Sequence, residues 1–333
     1  MAEGADSSAS LAQLKARLKL PAFAAPMFLV SGPDLVIEAC RGGLIGAFPS
    51  LNARPLETLE DWLKRISTTL DEEERASPGT TAPWAVNLIV HRTNKRLAAD
   101  LDLTVKYQAP MVISSLGSPR LVREEVHSYG GLLYCDVNSL FYAHKAADAG
   151  VDGLILVAAG AGGHTGMITP FAFVAEVRKF FDGAIVLAGG ISSGADIAAA
   201  IAMGADFAYV GTRFIAARES LASDGYKQML VDSGADDLVL TPYFTGVPAN
   251  FLKASVEKAG IDPEDLGKAN PEIQFNNEEK RANAWRDIWS AGQGVGSVES
   301  VLTTAELVAE LEDGYREAVD RLRATAAGAC SAM

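Results

Sequence analysis

The sequence is short of the features that mark exported, membrane-spanning or nucleic-acid-binding proteins. Its three cysteines, Cys40, Cys135 and Cys330, are far apart in 333 residues. They lack the paired spacing of a disulfide framework or a zinc site, so no metal is expected and a reducing cytoplasm fits best. Basic residues are scarce, 29 Lys and Arg against 42 Asp and Glu for a net charge of −13, which argues against a polyanionic partner such as nucleic acid. Met1 to Ser10 is small and polar with no basic stretch before an apolar core, unlike an export signal. No apolar run approaches the roughly 20 residues of a membrane helix, and neither export nor a membrane span is expected.

What the chain does have is a series of short apolar runs alternating with helical segments. Residues 1–10 are expected to be disordered, and Leu11 to Leu20 carries apolar positions at helical spacing. Strand-like runs follow at 22–28, 43–48, 82–90, 110–115, 131–137, 153–159, 184–188 and 207–210. Between them lie helical patterns at 33–41 (opened by Pro33), 59–70, 94–103, 119–128, 139–149, 170–181 and 194–203. Eight continuously apolar strands separated by helices predict an α/β fold whose parallel sheet closes into a (β/α)8 TIM barrel. An open doubly wound sheet would need the fingerprint G-x-G-x-x-G after an early strand, and the early strands lack it. From Ala216 to about Arg281 the periodicity is broken by Pro242, Pro248, Pro263 and Pro271, which predicts an irregular C-terminal lid or subdomain over the barrel mouth. A helical pattern returns over 305–326 to close the outer ring. The expected division is a barrel of residues 1–215 and 298–333 with a lid of residues 216–297.

In such a barrel the site forms at the C-terminal ends of the strands, and a phosphate usually rests on the loops after strands seven and eight. Those loops read Ala188-Gly189-Gly190-Ile191-Ser192-Ser193-Gly194 and Gly211-Thr212-Arg213, each able to offer backbone N–H groups to an anion. The plainer reading is a pair of tight turns. After the sixth strand comes Gly160 to Gly166, G-A-G-G-H-T-G, where Ala161, Gly162 and Gly163 would let the backbone approach a flat ring. His164 in that run titrates near neutral pH and could serve as a base, the alternative being a capping role. Asn87, and the backbone of Pro26 and Met27 at the end of the first strand, are expected beside a heterocycle, the alternative being a core or turn role. Tyr243, Phe244, Phe251, Trp285 and Trp289 form either an aromatic lid over an apolar substrate or the subdomain's own core.

Together the run 160–166, Ala188 to Ile191, Gly204-Ala205-Asp206, Gly211-Thr212-Arg213-Phe214 and Ala291-Gly292-Gln293-Gly294-Val295-Gly296 resemble the nitronate monooxygenase family, formerly called 2-nitropropane dioxygenases, over most of the chain. The resemblance implies an oxidoreductase with FMN at the strand ends and the FMN phosphate on Gly189-Gly190 and Gly211-Thr212. His164 would sit near the reactive face of the ring as a base or anion holder, and oxygen would react with the reduced flavin. The chain departs from many members at Gly160, where they carry an acid, and at Val157 and Ala158, where they carry Gln. At the end of the fifth strand it offers Asp136, Asn138 and Ser139, where some members place a basic or hydroxyl residue near the flavin. Asp136 is expected at the cofactor on that ground, although an acid there would oppose an anionic reduced ring. The resemblance implies a small-molecule substrate, O2 or NAD(P)H as redox partner, and a homodimer as one arrangement. Its alternative activity is an NAD(P)H-linked reductase or dehydrogenase acting on an unsaturated acyl-CoA or quinone-like substrate, and Thr241 to Lys253 and W-R-D-I-W-S at 285–290 resemble the family's branch that acts on CoA thioesters in steroid-ring degradation.

Overall fold

Eight parallel strands pair in sequence, and the last returns to the first. The structure, a computed structural model, describes residues 11–266 and 285–330. The disorder expected over residues 1–10, and Pro271 and Arg281 of the irregular segment, lie outside the described residues. The barrel strands are β1 (Ala22–Ala24), β2 (Ile45–Pro49), β3 (Trp84–Ile89), β4 (Met111–Ser115), β5 (Leu132–Val137), β6 (Gly153–Val157), β8 (Ala184–Ala188) and β9 (Phe207–Val210). Between β6 and β8 lies β7 (Gly163–His164), which leaves the barrel for a second sheet. All neighbouring barrel pairs are parallel, including β1 with β9, where Phe23 faces Tyr209 in register.

The helices on the outside are α1 (Pro33–Arg41), α2 (Leu56–Ala76), α3 (Leu97–Lys106), α4 (Arg123–Ser128), α5 (Leu140–Ala147), α6 (Pro170–Val177), α7 (Gly194–Ala202) and the single turn α8 (Thr212–Ile215). The helix expected over 119–128 divides into a 3-10 turn, Pro119–Leu121, and α4, because Pro119 opens the turn and no side chain caps the α-helix that follows.

Alternation along the strands sorts their side chains into two apolar layers. Phe23, Ile45, Ala47, Ala85, Met111, Ile113, Tyr134, Ile155, Val186 and Phe207 fill the inside, and Leu14 of the leading helical segment plugs the bottom. The intervening residues, such as Ala24, Phe48, Val86, Leu133 and Leu187, pack outward against the helices. Gly153 is glycine because a Cβ there would stand 2.2 Å from the Tyr134 ring across the β5–β6 pair.

Beyond the barrel come α9 (Asp224–Val231), β10 (Leu238–Thr241), β11 (Ala249–Leu252), α10 (Lys253–Lys258) and finally α11 (Thr304–Cys330). The segment after residue 216 is therefore more regular than its prolines suggest. β11 pairs antiparallel with β10 on one side and with β7 on the other, Ala249 opposite His164. α11 buries Leu307, Val308 and Leu311 on the outer layer. It crosses α7 where Gly194 lies so close that a Cβ would stand 2.2 Å from the Leu311 carbonyl oxygen and the Tyr315 nitrogen.

Candidate active site

The strand ends, the glycine loops and the C-terminal segment enclose one cavity of about 1020 Å³, at the upper end of the range for small-molecule sites. His164 and all eleven residues expected beside it line this cavity. They do so in different ways.

Met27 offers only its side chain. Its N–H donates to the Ser31 hydroxyl at 2.9 Å and its carbonyl accepts from Val30, Ser31 and the Asn52 amide. Ala161 likewise gives its carbonyl to the Asn250 amide at 2.8 Å. Asn87 is buried and uses its amide N–H groups on the Ile113 carbonyl at 3.0 Å and the Ser115 hydroxyl at 2.6 Å.

The glycines separate by reason. Gly190 has φ +68°, and a Cβ there would meet nothing within 4 Å; at Gly211 the nearest atoms are 3.8 Å away, on Ala25 and Met27. Both backbones face open cavity, as a cradle requires. Gly162 is glycine because the 291–292 segment packs on it, with the Gly292 nitrogen 2.7 Å from where a Cβ would be. A Cβ on Gly163 would touch the Trp285 ring at 3.4 Å. In the loop after β8, the N–H groups of Ser192 and Ser193 are spent on the Asp196 carboxylate of a capping box. Ile191 and Gly211 keep N–H groups without a partner among the described residues. The Thr212 hydroxyl accepts from Gly292 N–H at 2.8 Å and so ties the C-terminal segment to the cradle. The Arg213 side chain is buried against Glu310 of α11 at 2.5 Å.

His164 is not on a free loop. It belongs to β7, its ring meets Trp285 edge-on at 5.4 Å, and burial lowers its pKa below the ordinary histidine value. Asp136 lines the cavity from β5, where burial pushes its carboxyl up to about 6 against the opposing effect of the Ser115 hydrogen bond. Among the described residues, three buried side-chain polar atoms have no hydrogen-bond partner: Asp136 Oδ1, His164 Nε2 and the Tyr209 hydroxyl. All three residues line this cavity. Orphaned buried polar atoms cost free energy, so their convergence marks a place prepared for a polar ligand. The cavity volume and the open backbone at Gly190 and Gly211 also fit a mononucleotide.

The five aromatics divide between the two readings, most of them away from the cavity. Phe251 is fully buried with Val256 and Ile288 in the subdomain core, and Trp289 stacks on Tyr226 at 4.9 Å. Of the five aromatics only Trp285 lines the cavity. Ser115, Tyr209, Gly292 and Gly294 also line it and were not among the residues expected there. Ser115 and Tyr209 sit at strand ends as polar exceptions in apolar runs, which is a usable signal. Gly292 and Gly294 lie in the A-G-Q-G-V-G run, which carries the family resemblance without a role attached to it.

A closed parallel barrel with an imidazole, a carboxyl and a phenol lining one cavity beside glycine loops is the architecture of α/β-barrel enzymes, whose sites lie at the strand C-termini. The chain belongs to the nitronate monooxygenase family, an oxidoreductase family whose model matches residues 12–314. A nitronate monooxygenase of Paraburkholderia phytofirmans is 28% identical over 91% of this chain and 94% of its own. A (3aS,4S,5R,7aS)-5-hydroxy-7a-methyl-1-oxo-octahydro-1H-indene-4-carboxyl-CoA dehydrogenase of Rhodococcus jostii is 25% identical over 68% of this chain and 61% of its own. Among solved structures, nitroalkane oxidase from Streptomyces ansochromogenes aligns with a TM-score of 0.72 at 25% identity, covering 91% of this chain and 97% of that one. FabK from Thermotoga maritima aligns with a TM-score of 0.76 at 22% identity, covering 95% and 98%; this second likeness concerns the fold. No helix among the described residues is long and apolar enough to cross a membrane.

Proposed function

We propose that the protein is an FMN-dependent oxidoreductase that oxidises alkyl nitronates with O2. The observation that carries the reading is the convergence of His164 Nε2, Asp136 Oδ1 and the Tyr209 hydroxyl, all unpartnered, on one cavity floored by Gly190 and Gly211. Gly189, Gly190, Gly211 and Thr212 would surround the FMN phosphate, with the unpartnered N–H groups of Ile191 and Gly211 as donors, since the Gly190 N–H is given to the Gly160 carbonyl at 3.2 Å. Pro26, Met27, Asn87 and Ala161 to Gly163 would wall the ring. The flavin, when bound, supplies the two-electron acceptor and passes those electrons to O2.

The rest of the chemistry belongs to the chain. A histidine held neutral by burial has an acceptor nitrogen at pH 7, so His164 takes the proton from the carbon of a neutral nitroalkane, or orients an incoming nitronate oxygen once protonated. Trp285, edge-on to the imidazole, holds the ring in place and keeps water from that side.

The test is reconstitution. Purified protein incubated with FMN should turn yellow, bleach under anaerobic nitronate and recover its colour with air. Gly211→Val tests the cradle: φ at Gly211 is −107° and the added side chain enters open cavity. This variant should melt like the wild-type apoprotein and retain little flavin. Full flavin in it would place the phosphate elsewhere.

One observation favours a second reading, an NAD(P)H-linked reductase or dehydrogenase of an acyl-CoA or quinone-like substrate. The cavity opens through an apolar rim of Phe28, Leu116, Tyr142 and Val247 with Lys145 beside it, suited to a long substrate with an anionic end. Bleaching of the flavin by NADH or NADPH and not by nitronate would select this reading.

A further inference from the structure

The hydrogen bonds along Asn87, Ser115 and Asp136 on the cavity wall run in one direction. The Asn87 amide donates to Ser115 Oγ at 2.6 Å, and Ser115 Oγ donates onward to Asp136 Oδ2 at 2.5 Å. Asn87 must be the donor because its amide nitrogen has only hydrogens to offer. Ser115 therefore spends its single proton on Asp136. Asp136 Oδ1 is left at the end of the chain, buried and without a partner, and Tyr209, also unpartnered, lies near enough for Asp136 to contribute to raising its phenol.

We infer that Asp136 and Tyr209 form a pair of neutral hydrogen-bond donors, Asp136 as the protonated acid, for a carbonyl or oxyanion oxygen of the molecule bound in the cavity. This deepens the flavin reading and rests on it for the identity of that molecule. It also removes the conflict noted in the sequence, since a neutral acid favours an anionic ring where a carboxylate would oppose it.

A bare carboxylate at Oδ1 would need a cation or two donors. The groups that face Asp136 supply neither. β3 contributes Asn87 and β4 contributes Ser115, whose protons are already assigned. β9 contributes the Tyr209 phenol, kept protonated by burial. Cys135, next along β5, has its thiol pushed up to about 12 and is neutral. Lys145 of α5 is the lone Lys or Arg on the cavity lining among the described residues, and its ammonium rests over the Phe141 ring at 4.2 Å without a carboxylate partner among those residues. His164 shares the cavity and is held neutral by burial. Burial, opposed by the Ser115 hydrogen bond, has already raised the Asp136 carboxyl to about 6, and a ligand that expels the remaining water raises it further. A carboxylic acid kept neutral by an apolar site can pair with a tyrosine to donate two hydrogen bonds to one oxyanion.

Calorimetry of FMN binding in buffers of different ionisation enthalpy tests the pair. At pH 7.5 the free protein has lost most of the Asp136 proton, so wild-type binding should take up close to one proton more than binding to Asp136→Asn. At pH 5 the two should agree. Tyr209→Phe, which keeps the ring packed against Phe23, should bind FMN about tenfold more weakly with proton uptake retained. Equal uptake by wild type and Asp136→Asn at pH 7.5 would overturn the inference. Melting of the apoproteins gives a second readout without ligand. Asp136→Asn should melt a few degrees higher than wild type at pH 7.5 and no higher at pH 4.5, and the absence of that difference would also overturn it. If wild type binds no FMN at either pH, the flavin reading falls and the melting comparison alone decides the state of Asp136.

Discussion

The His164 imidazole is held by a strand, a tryptophan edge and the cavity wall at once, and each has a measurable consequence. Replacing it with alanine should remove about 1 kcal/mol of ring contact, seen as a modest drop in melting temperature. Turnover of neutral nitroalkanes should fall by roughly 10²–10⁴, the usual contribution of a placed base, with a smaller loss for nitronates, which arrive deprotonated. Unchanged turnover with both substrates would leave His164 a structural residue. The pH dependence has a definite sign. Burial lowers the folded pKa, so as pH falls below about 6.5 the unfolded chain takes the proton first and this group's contribution turns against the folded state. The acid limb of kcat/KM should accordingly lie below pH 6.5 in the free enzyme, and a limb above 6.5 would contradict a buried neutral base.

Among the elements, the β5–β6 pair depends on one small residue opposite one large one. Gly153→Ala should cost about 1–3 kcal/mol by overpacking against Tyr134, and shortening Tyr134 to leucine in the same chain should recover part of it, as read by chemical denaturation. All eight strands were legible because each is apolar on both faces and so stands out without alternation. That the glycine loops would line the cavity was legible because a barrel's site forms at the C-terminal ends of its strands. The elements after residue 216 were not, since β10 and β11 are four residues each and β11, the centre of their sheet, takes as its other partner β7, about 85 residues earlier in the chain. The state of Asp136 was illegible for the same reason: its surroundings come from Asn87, Ser115 and Tyr209 on three other strands, and no local pattern records them.

For the whole molecule, the barrel and the segment after it cannot be treated as a container and a cover. β11 supplies the partner of Gly163–His164, and Gly292 grips the Thr212 hydroxyl beside the cradle. Replacing residues 216–297 by a short linker should therefore abolish flavin retention, where an independent cover would leave a yellow barrel with altered substrate preference; absorbance of the purified deletion decides. α11 is needed too, because its removal takes away the buried Leu307, Val308 and Leu311 and uncovers the α7 face against which the helix packs, each such side chain being worth about 1.5–3 kcal/mol when buried. Loss of soluble protein on truncation at residue 303 is the expected result. The pairing of β7 with β11 also bears on how such enzymes can be recombined. A chimaera that borrows residues 216–297 from a relative brings in a foreign neighbour for the histidine along with a foreign substrate wall. Exchange of that segment should yield working hybrids when residues 160–166 travel with it, and inactive ones when they stay behind.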